Sequence, residues 1–361
     1  MDRFESFPEQ AEAKVLLRAA LDEGAAHAYL LHGPPGVGKQ RAAIVFAGEL
    51  LGDPERAARR SHPDLYVLEP LGDQIRIDDI RALRRDLHMR PFEASRRVYV
   101  VLGADTMNED AADALLKDLE EPPSYVVILL VAADLGPLPE TIRSRCQLVP
   151  FRRLSEKAVL AEVEARAPDL SAEERTTIAR VAGGRLDRVG RLLDEHAVRR
   201  REALLEVARS VYLEPAFDAA AAAAVLVANG EERGSEERGL AEAKLALLDL
   251  TDREAEQRLR RAQRGAEREE LLAALEELAA WYRDLVVVAA GAPETAIHRD
   301  RLAELAEDAT RERMLGAERA CELVRETWRA FEEFQLQSAL ALEALFVGLR
   351  RELAGPSLAP A

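Results

Sequence analysis

AYLLHGPPGVGKQ (residues 28–40) runs from an apolar, strand-like segment into a glycine-rich turn and then into a helical pattern. Gly33 to Lys39 fit the phosphate-loop spacing G-x-x-x-x-G-K-[ST], but Gln40 stands where the hydroxyl residue belongs. Such a loop works because successive backbone N–H groups converge on an anion at the positive end of a helix. Gly33, Gly36 and Gly38 permit that backbone path, and Lys39 adds a point charge for the β and γ phosphates. The amide of Gln40 is a poor magnesium ligand, because that ion demands tight octahedral oxygen geometry. These residues describe a degenerate nucleotide site. ATP or ADP are its candidate ligands, no cofactor is required, and metal-assisted hydrolysis is impaired.

Outward from the loop, short apolar runs alternate with helical patterns. Residues 28–33 read as a first strand and 37–51 as the helix after it. DLYVLEP (64–70) is a second strand. Residues 77–89 are amphipathic, with Ile77, Ile80, Leu83 and Leu87 on one helical face. RVYVVLG (97–103) is a third strand, and its unbroken apolar character suits a sheet buried on both faces. A helix over 108–119 is closed by Glu120-Glu121-Pro122-Pro123, and strands at 126–132 and 147–151 complete the set. Strands alternating with helices predict an α/β domain with a parallel sheet, whose ligand lies at the loop after the first strand.

From Leu154 onward the strand-like runs vanish. Residues 155–193 read as short helices, with Ser155 and Ser171 as N-caps and SAEE (171–174) as a capping box. Gly183-Gly184 breaks them, and the whole has the look of a small helical lid. Beyond Glu206 the chain is helical, with an alanine run at 219–224. EERGSEERG (231–239) reads as a polar loop or the mobile start of a helix. Residues 236–289 and 299–353 are long helical stretches broken near Gly291-Ala292-Pro293. The predicted fold class is therefore α/β plus all-α. Its domains run over 1–152, 153–207 and 208–355, with a disordered tail at 356–361.

Composition narrows the function classes. The 361 residues are 48% hydrophobic and 32% charged, ordinary for a helix-rich globular chain of two or three domains. No apolar run is long enough to span a bilayer, and MDRFESFPEQ is followed by no signal-peptide apolar region, so a cytoplasmic protein without membrane contact is expected. Cys146 and Cys321 are too few for a disulfide framework or a cysteine zinc site, and the six histidines show no H-x-x-x-H spacing. No metal site is expected. The net charge of −16 argues against non-specific DNA binding by the isolated chain, although one local basic face could still touch DNA within an assembly.

The third strand bears on catalysis. Metal-assisted hydrolysis needs a carboxylate at its end for magnesium and another to polarise water. The residues there are Val101, Leu102, Gly103 and Ala104, and Asp105 lies past the expected position, as a loop or helix-start residue.

Five segments, HAYLLHGPPGVGK, SHPDLYVLEP, IRIDDIRAL, ADTMNEDAADALLKDLEEPP and PETIRSRCQ, resemble in order and spacing the AAA+ clamp-loader subunits of bacterial DNA polymerase III. The resemblance covers residues 25–152, and LQSALALEALFVGLR (336–350) looks like that family's C-terminal collar helix. It implies an AAA+ P-loop domain, a lid and a helical collar. Within the family, gamma/tau subunits hydrolyse ATP. Delta-prime subunits combine a degenerate phosphate site with an SRC arginine that reaches the adjacent gamma subunit's ATP. This chain matches the second pattern, with Arg145 of Ser144-Arg145-Cys146 as the arginine finger acting in trans. Two departures stand out: residues 56–61 occupy the place of the family's cysteine zinc module, so no zinc is expected. Asp187 falls where gamma-like subunits place a lid arginine, although Arg185 and Arg188 flank it.

The resemblance implies gamma/tau and delta subunits as partners, and the sliding clamp and primed DNA through the complex. Nothing in the residues suggests that the chain itself joins nucleotides. The competing expectation is a diverged gamma/tau-type subunit with its own ATPase activity. Arg143, Lys117, Asp118, Glu120 and Glu121 read as structural or interface residues, Cys146 as core, and Trp281 and Trp328 as core or collar.

Overall fold

The computed structural model describes residues 4, 7–70, 74–245, 251–334 and 336–354; the tail expected at 356–361 lies outside them. Two compact units emerge, Met1–Pro168 with Gly184–Val189, and Asp169–Gly183 with Gly190–Ala361.

The first unit runs α1 (Ala11–Glu23), β1 (Ala28–His32), α2 (Lys39–Leu51), α3 (Pro54–Ala58), β2 (Leu65–Leu68), α4 (Ile77–Leu87), β3 (Arg97–Leu102), α5 (Glu109–Glu120), β4 (Val126–Ala132), α6 (Glu140–Arg143) and β5 (Gln147–Pro150). The expected parallel sheet is present, with strand order β2-β3-β4-β1-β5. Leu30 of β1 pairs with Leu130 on one side and Leu148 on the other. Every residue of β3 and β4 is buried, as strands covered by helices on both faces require. Alternate side chains divide between the faces. Leu30, Tyr99, Val101, Ile128 and Leu130 join Ile80, Leu83 and Leu115 of α4 and α5 in one core. Tyr29 turns the other way and meets Phe46 of α2, edge to face at 5.1 Å.

Buried polar contacts pin the helices. Asp118 of α5, only 3% exposed, accepts from Arg84 Nε of α4 at 2.5 Å. Asp86 of α4 takes Arg97 at 2.6 Å and the Tyr99 hydroxyl at 2.9 Å. The sequence reading missed α1, α3 and α6, which are short or weakly patterned. It also began α2 two residues early. Gly36 and Gly38 adopt φ of 69° and 94°, a left-handed path that helical backbone excludes, so the helix starts only at Lys39.

Three short helices follow: α7 (Glu156–Arg166), α8 (Ala172–Val181) and α9 (Leu186–Leu193). Ser155 caps α7 through the Ala158 N–H, and Ser171 and Glu174 form the expected capping box on α8. Gly183 and Gly184 make the break, both with positive φ.

The rest of the second unit is α10 (Glu195–Leu213), α11 (Ala219–Leu245), α12 (Asp252–Ala289), α13 (Leu302–Asp308), α14 (Arg311–Glu333) and α15 (Ser338–Leu353). Two expectations are corrected here. EERGSEERG is neither a loop nor a helix start but lies inside α11. One of its glycines serves packing: a β-carbon at Gly234 would lie 2.5 Å from Glu267 Cγ of α12. Residues 236–289 are also not one helix, because Thr251 caps α12 as a new start, paired with Glu254 in a capping box. Trp281 and Tyr282 are fully buried in the core of this unit, and Trp328 packs against its margin.

A buried ionic cluster links α10, α12 and the segment before α13. His298 Nδ1 lies 2.8 Å from Asp284 Oδ2, and its Nε2 lies 3.2 Å from Glu277 Oε1. Arg201 bridges Glu277 and Asp300 at 2.6 and 2.8 Å. Burial alone would push the imidazole down, but the hydrogen bonds to Asp284 and Glu277 outweigh it and raise the His298 pKa. The stabilisation from a raised histidine is complete below the ordinary value of about 6.5 and is lost as pH rises through the folded value. Urea unfolding followed by circular dichroism should therefore show stability falling as pH rises above about 6.5. His298→Ala should lower it by about 3–5 kcal/mol, the usual effect of breaking a buried charge pair, and flatten that limb of the profile. An unchanged urea midpoint would contradict the cluster's contribution.

Candidate phosphate-loop site

The carboxyl ends of parallel strands gather the loops that bind ligands in open α/β sheets. Here the loop after β1 contains Gly33, Gly36 and Gly38, and Lys39 opens the helix that follows. Gly33 has φ of 135°, and a β-carbon there would lie 2.2 Å from the Phe151 carbonyl oxygen just beyond β5. Only glycine permits that approach. The Phe151 N–H in turn donates to the His32 carbonyl at 2.8 Å, which seals the two strand ends together.

Lys39 is folded back on its own loop. It is 6% exposed, and Nζ donates to the carbonyls of Gly33 and Pro34, each at 2.5 Å. Burial depresses its pKa to about 8, against the opposing charges of Asp105 and Asp187. His32 is held below its ordinary range by burial and by the Lys39 charge. Gln40 is exposed at the second residue of α2.

Asp105 is a loop residue, in a 3-10 turn over Ala104–Thr106. Its carboxylate accepts the backbone N–H groups of Ala133 and Asp134 at 2.9 and 3.0 Å, tying the loop after β3 to the loop after β4. At the end of β3 itself stand Leu102 and Gly103, which have no side chain able to ligate a metal.

The lid segment reaches this loop within the same unit. The Leu186 N–H donates to the Gly36 carbonyl at 2.6 Å. A β-carbon on Gly36 would lie 1.8 Å from Asp187 Oδ1. Arg185 grips the Asp187 carboxylate with Nε at 3.2 Å and a terminal nitrogen at 2.7 Å. Burial pushes Asp187 upward, but the Arg185 hydrogen bond and charge, with backbone N–H groups of Arg188 and Asp187 itself, bring it below its usual range. Sequence reading placed Asp187 only as a departure from a pattern. Its contact with Gly36 joins residues far apart in the chain and leaves no local signal.

Arg145 sits elsewhere, in the turn between α6 and β5. It donates to the Thr141 carbonyl at 2.9 Å and to Glu120 Oε1 at the end of α5 at 2.5 Å, with its side chain 34% exposed. Arg143 Nε is buried and has no hydrogen-bond partner among the described residues. Cys146 packs against the core, and burial pushes its thiol up to about 12, far from reactive. In the place of the cysteine zinc module stands α3, capped by Asp53. The described residues include one cluster of metal-ligand type, His196 with Glu232 and Glu236 in the second unit. Arg199 lies 2.8 Å from His196 Nδ1 and Arg200 lies 3.0 Å from Glu236 Oε1, so the cluster is an ion-pair network already supplied with cations. No described helix is long and apolar enough to cross a membrane.

Residues 9–155 match the family model described as DNA polymerase III, delta subunit. Over 158 residues the chain is 33% identical to DNA polymerase III subunit delta' of Bacillus subtilis (strain 168), covering 40% of this chain and 48% of that one. Over 177 residues it is 38% identical to the delta' subunit of Pseudomonas aeruginosa, covering 44% of this chain and 53% of that one. The Bacillus subtilis tau subunit is 31% identical over 211 residues, covering 54% of this chain and 37% of that one. The chain spans about half the length of the curated delta' relatives it matches. A gamma subunit-related DNA polymerase III protein of known structure from Thermotoga maritima aligns with 94% of this chain and 99% of its own, at 17% identity and a TM-score of 0.42.

The glycines of the loop are not equivalent. Gly33→Ala should destabilise the first unit by about 1–3 kcal/mol through strain and the Phe151 clash. Gly38→Ala should have the smaller effect, since its β-carbon would meet only Phe7 Cβ at an ordinary 3.8 Å. Thermal denaturation of the two variants side by side checks the order.

Proposed function

We propose, from the match of residues 9–155 to the family model described as DNA polymerase III, delta subunit, that this chain is a non-hydrolysing, delta-prime-like subunit of a clamp loader. The observation that carries this proposal is a phosphate loop without metal chemistry. Gln40 is turned out on α2, Gly103 follows β3 where a carboxylate would be needed, and Lys39 is bonded to the loop's own carbonyls. Such a site offers no route to activate water.

The chain's contribution to ATP hydrolysis is then made at a neighbour. Arg145 is half-exposed and oriented by Thr141 and Glu120. A guanidinium held by a single exposed carboxylate can exchange that partner for the phosphates of an adjacent gamma/tau subunit, where it stabilises charge on the transferring group. The C-terminal helices join the collar of the assembly. Support comes from α15, which exposes Leu340 and Val347 seven residues apart on one face, at 62% and 58%. Gamma/tau and delta subunits, the sliding clamp and primed DNA are the partners of a cytoplasmic complex, and this chain needs no zinc.

The similarity to a tau subunit favours one second reading, a diverged gamma/tau-type ATPase. Steady-state assays separate the two. The purified chain alone should show no magnesium-dependent ATP turnover. In the reconstituted complex, Arg145→Ala should slow hydrolysis at the adjoining site by on the order of 10³-fold while leaving assembly intact by gel filtration. Turnover by the isolated chain would favour the second reading, and an unaffected complex would remove the finger assignment.

A further inference from the structure

The lid contact with the phosphate loop has a consequence for what the loop can bind. We infer that the Asp187 carboxylate, clasped by Arg185 and seated against Gly36, bars nucleotide polyphosphate from this loop, and that polyphosphate enters only when that charge is removed. This rests on reading Gly33–Lys39 as a phosphate loop and deepens that reading by naming what bars its ligand.

Two contacts seat this segment against the loop, and a third holds the Asp187 carboxylate. Its Oδ1 fills the space beside Gly36 that any β-carbon would need, 1.8 Å from the ideal position. The backbone is locked next door by the Leu186 N–H on the Gly36 carbonyl at 2.6 Å. Arg185, the cation nearest this carboxylate, already spans it with two donors at 3.2 and 2.7 Å.

Charge points the same way. Lys39 feels the negative charges of Asp105 and Asp187 and the positive charge of Arg185. A polyphosphate added beside Gly36 would face both carboxylates, and unscreened like charges at this range are strongly unfavourable. With the Asp187 charge removed, a polyphosphate there would face one carboxylate in place of two.

The experiment is isothermal titration of the full chain with ATP and with inorganic tripolyphosphate, both in EDTA. Wild type, Asp187→Asn and the double variant Asp187→Asn with Lys39→Ala are compared. Asparagine keeps the size of the side chain, and circular dichroism checks that each protein is folded. Weak binding by wild type, binding tighter by about tenfold or more in Asp187→Asn, and loss of that gain in the double variant are expected, as follows from removing a like charge within a few ångströms of a bound anion. Equal affinity of wild type and Asp187→Asn would overturn the inference. If Lys39→Ala in the wild-type background then abolished that binding, the phosphate-loop reading itself would stand. Failure of Asp187→Asn to bind either probe would also overturn it, because something other than this carboxylate would then exclude polyphosphate.

Discussion

The insertion of β1 between β4 and β5 governs the first unit. Parallel pairing on both sides leaves β1 no exposed backbone edge, and its continuation into Gly33 is held against the end of β5 by the Phe151 contacts. The loop after β1 therefore emerges beside the loops after β3, β4 and β5 at one rim of the sheet. Asp105 stitches two of these loops by accepting the Ala133 and Asp134 N–H groups. A carboxylate used this way is a scaffold group, held by backbone donors.

The same geometry gives the glycine-rich loop roles in packing. Its backbone path is needed for packing at Gly33 and for the lid contact at Gly36, so the glycines have structural reasons to be there. Lys39 is buried with two carbonyl acceptors, which offsets much of the cost of burying its charge. The second unit relies on different means. Its long helices approach closely at glycines, and its core contains a shielded cluster of His298, Asp284, Glu277 and Arg201 whose charges are mutually satisfied.

Periodicity and local chemistry made much of this legible from residues alone. The strand over 126–132 was located to the residue, since seven apolar residues between turn signals leave little choice. Ser155, Ser171 and the 171–174 capping box were found because a cap is a local interaction over four residues. The glycines of EERGSEERG misled for the same reason. Glycine signals a turn locally, whereas at Gly234 its lack of a side chain lets α11 and α12 approach, a fact that resides in another helix.

The amino-acid sequence by itself determined the phosphate-loop path, the loss of a hydroxyl at position 40 and of carboxylates after the third strand, and the change from α/β to all-helical composition, because each is written in neighbouring residues. Only the tertiary structure decided that Asp187 rests on Gly36, that Lys39 turns onto its own loop, and that Glu120 holds Arg145. These pairings lie across the chain or depend on side-chain direction, and their energies come from burial and charge brought together by the fold.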